Sequence, residues 1–311
     1  MRHTGSGSTK EGCAWIYYAM LLFVVLFWGV SSVLYTYIYN RYSASALGAL
    51  LALSSFLLFL ALAVKKRLRF DRRYARIALP ICLLNGLACL LQRIGLQYTT
   101  PASYAFLEHL SCVVVPIMMF LFIRKRPTLL QGLAGCVCLV GCFVLSGLSV
   151  DGLSFGVGDA LCAAAGILLG VVIAAIGAYT KELDLTLFMT VHTGCYFLIS
   201  LTSAVLLQLI TVDGVPMEAF RFSLDPLILV PVILFGVVDI ALCWMLRTEA
   251  IKHVDPTTVA IVSPFSAVVT GLVSVLVGTD EPSANLLIGG ILILTALLLP
   301  EIFQRKDRKK P

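Results

Sequence analysis

Residues 94–107, IGLQYTTPASYAFL, and residues 249–262, EAIKHVDPTTVAIV, decide the architecture of this chain. An offset of 155 positions lays one on the other, with Pro101 on Pro256 and Ala105 on Ala260. The same register continues without a gap to Pro127 and Pro282, Gly135 and Gly290, and Leu139 and Leu294. Each copy enters an apolar helix, crosses a polar, proline-containing break and runs into a Gly-rich helix. An offset of 141 aligns the earlier portions, Gly29 with Gly170 and SASAL at 43–47 with DLTLF at 184–188. The chain reads as one unit written twice.

Around that repeat run ten apolar stretches, at 15–37, 44–64, 75–97, 101–123, 128–147, 155–179, 184–210, 226–250, 256–278 and 283–303. A bilayer's hydrocarbon core is ~30 Å thick and takes about 20 apolar residues to cross as a helix, which is the length of most of these stretches. Apolar residues form 59% of the 311 positions, charged residues 13%, and mean hydropathy is +0.97. Both fractions lie far outside the range of soluble domains, so the expected fold is an all-α integral membrane protein.

Basic residues alternate with the spans. The connection after span 2 holds Lys65, Lys66, Arg67, Arg69, Arg72, Arg73 and Arg76, and that after span 4 holds Arg124, Lys125 and Arg126. With Arg2, Lys10, Lys181, Arg247, Lys252 and the tail, all but three of the 23 Lys and Arg fall on one side. By the positive-inside rule that side is cytoplasmic, so both termini are expected there and the span count is even. The expected organisation is a cytoplasmic tail at 1–14, five-helix repeats at 15–150 and 151–303, and a basic cytoplasmic tail at 304–311. The first apolar run is full length behind a polar tail, and is expected to be a retained anchor rather than a cleaved signal. The net charge of +6 then reports topology and attraction to anionic lipid, not a nucleic-acid partner.

Five helices per repeat is an odd number, so the second repeat starts on the opposite face of the membrane and the two are inverted. Such repeats recur in secondary transporters, where two pseudo-equivalent bundles exchange inward-open and outward-open shapes around a midplane site. Other chemistries find little support. The chain has no phosphate-binding loop ending in Gly-Lys-Ser/Thr, no HExxH and no GxSxG. All but Cys13 of the ten cysteines lie inside expected helices. Cys136, Cys138 and Cys142 lack zinc-site spacing, so they read as small packing residues; no metal, cofactor or enzymatic activity is expected.

LFWGVSS at 26–32, GLQYTTPASYAFL at 95–107, and the run from Ala250 to Leu294 with Ser263-Pro264 in span 9 and Glu281-Pro282 before span 10 together resemble the EamA branch of the drug/metabolite transporter superfamily. The resemblance covers nearly the whole chain. It implies ten helices in two inverted repeats in the cell (inner or plasma) membrane, and export or exchange of small metabolites such as amino acids without ATP. In the first half the positions aligned with Ser263-Pro264 hold Glu108 and His109, and Arg126 stands opposite Glu281.

Polar groups inside spans are the candidate site residues, because a charge at the bilayer centre costs at least ~2.5–3.5 kcal/mol. Asp239 lies near the midplane of span 8, and the repeat offset sets Asn85 of span 3 within one residue of it; the two are expected to face each other, with Asp239 binding a cation or exchanging a proton. Arg93 and Glu108 share a depth in spans 3 and 4. They are expected either to brace those spans as an ion pair or to meet substrate charges, with His109 adjacent. His192 in span 7 is a further titratable candidate; Tyr104 and Trp28 are expected to line a cavity. Pro116 and Pro264 are expected to let their helices flex. Gly29, Gly132, Gly135, Gly166 and Gly170 are expected at close helix contacts. The expected partners are a small-molecule substrate, the lipid bilayer and protons as coupling ion, with the protein a monomer or homodimer. The rival expectations are a non-transporting membrane scaffold or sensor, and an uncoupled facilitator or exchanger of drugs or nucleoside-type solutes.

Overall fold

A computed structural model describes residues 8–96, 98–99, 101–147, 156–212, 215–216, 218–279 and 281–307. The chain is helical almost throughout: α1 Ser8–Ile38, α2 Ala44–Lys65, a π turn Tyr74–Ala78 leading into α3 Leu79–Leu96, α4 Pro101–Glu108, α5 Ser111–Ile123, α6 Leu129–Leu145, α7 Val157–Tyr179 and α8 Leu185–Leu209. Then come α9 Pro226–Gly236, a π segment Val237–Cys243, α10 Trp244–His253, α11 Pro256–Val262, α12 Phe265–Val277 and α13 Ala284–Asp307. A two-residue antiparallel pair, β1 Thr211–Val212 with β2 Val215–Pro216, caps the α8–α9 connection. Among the described residues, eight helices are long and apolar enough to cross a membrane, and Leu129–Leu145 and Ala284–Leu299 are shorter apolar helices. These ten segments fall on the ten stretches read from the sequence, because hydropathy at this length leaves few alternatives. Large apolar side chains such as Leu129, Leu227 and Leu276 cover the outside of the bundle, a surface fit for lipid rather than water.

The packing follows the repeat. α2 lies against α8, and α6 against α13; α1 packs on α12 and α7 on α5, while α3 packs on α7 and α1 on α10. Exchanging the halves maps this set of contacts onto itself. One end of the bundle is held by polar contacts: Lys66 Nζ donates to Thr186 Oγ1 at 2.8 Å, Arg73 pairs with Glu182 at 2.7 Å, and Lys252 Nζ donates to the Leu183 carbonyl at 2.9 Å. Asp255 caps α11 by accepting from Thr257 N at 3.2 Å, and it receives Lys125 Nζ at 2.7 Å and Gln131 Nε2 at 3.0 Å. Burial pushes its carboxyl up, but the Lys125 contact and the remaining donors outweigh that and hold it below the ordinary aspartate value.

Both repeats break a helix within one residue of the same register. α11 and α12 are separated at Ser263-Pro264, where proline has no N–H to give; α4 and α5 are separated at His109-Leu110, one residue on from the aligned pair Glu108-His109, and no proline stands there. In both breaks the hydrogen bonds tighten to three-residue spacing, as in Leu110 N to Leu107 O at 3.2 Å and Ala267 N to Pro264 O at 3.0 Å. Pro264 coincides with a break, whereas Pro116 sits inside α5, six residues past its break. The carbonyl of Ala260, four residues before Pro264, is taken by the thiol of Cys112 at 3.1 Å, and the Cys138 thiol reaches the Ile261 carbonyl at 3.7 Å. Cys112, and Cys138 that was expected to fill space, thus tie the first repeat to the broken helix of the second through weak S–H donors.

Glycines set the tightest crossings. A Cβ on Gly166 would stand 2.2 Å from the Leu107 carbonyl oxygen, and one on Gly170 2.7 Å from Val114 Cβ, so the pair seats α7 on the α4–α5 break. Gly29 meets Val269 in the same way at 2.5 Å, and Gly135 faces the Cys112 carbonyl at 3.2 Å. Gly132 departs from expectation: nothing lies within 4 Å of its Cβ direction, because that face of α6 turns outward. Gly166→Ala is therefore expected to lower stability by about 1–3 kcal/mol and Gly132→Ala to leave it unchanged or slightly raised, read as thermal unfolding of the purified protein in detergent.

Candidate functional site

The centre of the bundle holds a polar cluster drawn from both halves. Asp239 lies in the π segment of the Pro226–His253 helix and is buried. A π segment admits one more residue per turn than an α-helix, which accounts for the one-residue slip between Asp239 and Asn85 in the repeat alignment. Asp239 Oδ2 accepts the Tyr35 hydroxyl at 2.5 Å, while Oδ1 has no hydrogen-bond partner among the described residues. Trp28, two turns before Tyr35 on α1, stands beside the same carboxyl group.

Further along the same helix, Arg247 is only 4% exposed. Its guanidinium carbon lies 5.2 Å from the Trp28 ring and 5.2 Å from the Trp244 ring, and the two indoles are 5.7 Å apart. Among the described residues it makes neither an ion pair nor a hydrogen bond, and Nε is buried without a partner. Desolvating a guanidinium costs several kcal/mol, and a cation–π contact returns about 2 kcal/mol when buried. The indoles offset part of that cost and leave the N–H donors unused.

His192 of α8 packs on Trp244 with ring centres 4.7 Å apart, and its Nε2 lies 3.1 Å from Asn85 Nδ2. The amide nitrogen is the donor in that contact, so a neutral imidazole carries its own proton on Nδ1. Neither that Nδ1 nor Asn85 Oδ1 has a partner. Five buried side-chain polar atoms among the described residues are unpartnered, and four of them, Asn85 Oδ1, His192 Nδ1, Asp239 Oδ1 and Arg247 Nε, belong to this cluster; the fifth is Ser45 Oγ. Such atoms are few in folded proteins and mark places where water, an ion or a ligand supplies the missing bond.

The structure departs from the sequence reading in its pairings. Asn85 and Asp239 do not bond each other: Asn85 is engaged by His192 and Asp239 by Tyr35, with the Trp28 and Trp244 indoles between the two pairs. Arg93 and Glu108 make no ion pair. Arg93 instead donates to Tyr196 Oη at 2.6 Å and Ser200 Oγ at 3.2 Å on α8, with its guanidinium 5.3 Å from the Tyr196 ring. Gly48 of α2 leaves the room it occupies, since a Cβ there would stand 2.3 Å from Arg93 Nη2. Equal depth did not fix equal azimuth.

Glu108 ends α4 half-buried, and both Arg247 and Tyr104, one turn before it, lie within reach of its charge. His109 is buried at the break on a different face, towards Cys138 of α6. Arg247, Trp244, Tyr35 and Tyr196 were not singled out in the sequence. Arg247 was counted as a cytoplasmic charge. The available signal was its spacing from Trp244, three residues earlier and so on the same helix face. No group of three or more His, Cys, Asp or Glu among the described residues is arranged to hold a metal ion.

An apolar helical bundle with a charged interior open to no fixed partner defines a multi-pass membrane protein with a transporter-like fold. The model of the EamA-like transporter family matches residues 15–147 and again 156–300, and the chain belongs to that family, whose members are transporters rather than enzymes. A solved structure described only as "Crystal structure of protein" superposes with a TM-score of 0.73 at 17% identity, over 93% of this chain and 97% of its own; the likeness is one of fold. No curated protein matches the chain.

A double-mutant cycle separates the two Arg93 pairings. Coupling between Arg93→Gln and Tyr196→Phe is expected at about 1–3 kcal/mol, and coupling between Arg93→Gln and Glu108→Gln below about 0.5 kcal/mol, measured by thermal or denaturant unfolding in one detergent.

Proposed function

We propose that this protein is a ten-span secondary transporter, with both termini in the cytoplasm and inverted repeats at 15–150 and 151–303, that moves a small organic metabolite, an amino acid or related compound, by alternating access. The observation that carries the reading is the set of four unpartnered polar atoms buried where the two halves meet. A scaffold or sensor has no use for such a cluster, because each unpartnered buried polar group weakens the fold. A transporter needs groups whose partners come and go. The exchange symmetry of the helix contacts and the basic residues at one end of the bundle support inverted repeats and the orientation in the cell membrane.

Asp239 and Glu108 serve as the substrate-amine or coupling carboxylates, with protons as the coupling ion. Asn85, His192, Tyr104 and Trp28 line the path beside them, His109 lies at the flexing break of the first repeat, and Arg93 holds α3 on α8 at the edge of the site. Pro264 and Pro116 let the broken helices bend as the halves exchange shapes. Monomers suffice for this cycle, and a homodimer would repeat it.

Liposomes containing the purified protein, offered a mixed pool of labelled amino acids with and without a pH gradient, test the reading. The expected result is flux that responds to the gradient in wild type and falls at least about tenfold in Asp239→Asn, with unchanged thermal stability. Flux equal in the two proteins would remove Asp239 from the path, and no flux of any amino acid from well-folded protein would overturn the transport reading for this substrate class.

A further inference from the structure

We propose that Arg247, cradled by Trp28 and Trp244, is the anion-binding residue of the solute site, and that the solute it receives carries a carboxylate. The proposal rests on the transport reading and adds a residue and a required substrate group to it.

Three observations meet at this side chain. The first is its isolation: a full positive charge, 4% exposed, with no ion pair and no hydrogen bond among the described residues. Arg247 lies six residues before the end of its helix at His253, about 9 Å deeper at 1.5 Å per residue, so its burial is not that of a side chain reaching out to the cytoplasm. The second is the shape of its cradle. Separations of 5.2, 5.2 and 5.7 Å between the guanidinium carbon and the two rings form a nearly equilateral triangle, which puts both indoles to one side of the cation. Indole faces hold a guanidinium in place without using its N–H groups, and those donors remain in a planar fork that fits a carboxylate with two parallel bonds.

The third observation is the charge nearby. Trp28 touches both Arg247 and Asp239, and Asp239 offers Oδ1 unpartnered, yet the two charges form no ion pair. One indole therefore stands between a guanidinium that feels the Glu108 charge but makes no ion pair and a carboxylate whose Oδ1 is unpartnered. A solute bearing one negative and one positive group completes both. A phosphate would bring nearly two negative charges beside Asp239 and Glu108, whereas a carboxylate brings one.

The protein reports on this site itself, because its three tryptophans are Trp15, Trp28 and Trp244, and Trp15 is exposed on the outside of α1. In Trp15→Phe protein held in lipid nanodiscs, emission comes only from the two cradle indoles. Three probes share one apolar body: 3-phenylpropionate carries the acid alone, phenethylamine the amine alone, and phenylalanine both. The acid and the amino acid are expected to change the emission saturably. Arg247→Gln is expected to weaken both by at least about tenfold while leaving phenethylamine as in the parent, and Arg247→Lys, which keeps the charge but loses the fork, to fall between. Equal weakening of all three probes, or acid binding untouched in Arg247→Gln, overturns the proposal. If neither acid binds while the liposomes still carry amino acids, the anion site is wrong and the transport reading stands. If binding and flux both fail, both are wrong. Should Arg247→Gln not fold, Arg247→Lys decides alone, since selective loss for the two acids is expected of it and uniform or absent loss contradicts the proposal.

Discussion

A polar atom buried between membrane helices has no bulk water to turn to, so its hydrogen bonds must be made within the protein or with something the protein takes in. Most of this chain obeys the first alternative. Serine and threonine hydroxyls fold back on carbonyls of their own helices, as Thr193 Oγ1 does on Met189 O at 2.8 Å, and the helix ends are capped by Thr128, Asp184, Asp225 and Asp255. Among the described residues, and apart from Ser45 Oγ, the second alternative falls at the centre, where Asn85, His192, Asp239 and Arg247 each keep an unused atom. That contrast gives the site its place. The same fold that satisfies caps and loops at its ends leaves its interior short of partners.

The breaks in α4–α5 and α11–α12 serve that centre. A broken helix exposes carbonyls that an unbroken one would use, and the thiols of Cys112 and Cys138 cover those of Ala260 and Ile261. Weak S–H bonds cover a carbonyl without fixing it firmly, which suits a joint between halves that must change their relation. α7 crosses the first break through Gly166 and Gly170, and α1 meets the face of α12 through Gly29. Close backbone approach at these points makes the crossings firm while the breaks beside them stay open to bending.

Much of the fold was legible in the sequence. Ten apolar stretches became ten helical segments, with ends displaced by a few residues, because span length is dictated by bilayer thickness. Pro101 and Pro256 begin α4 and α11 as proline at a first turn should. The site was legible in its members and not in its pairings. Asp239, Asn85 and His192 stood out as polar residues in apolar runs, and they do meet in one cluster. Arg93 and Glu108 had matching depth, but the direction each faces around its helix depends on crossing angles that no single span encodes, so Arg93 found Tyr196 and Ser200 instead. Arg247 was hidden by its position near a basic end of a span, where the positive-inside pattern absorbs any arginine. A break without a proline at His109-Leu110 left no local mark, and only the repeat alignment points to it.

The central claim is that a solute fills the unpartnered cluster. An experimental structure of the protein in nanodiscs, solved with an amino acid that the liposomes carry, tests it directly. The account predicts the solute against Asp239 Oδ1 and the Arg247 guanidinium, within hydrogen-bond distance of both. A solute bound elsewhere, with those two groups closed on each other or on fixed side chains, would contradict it.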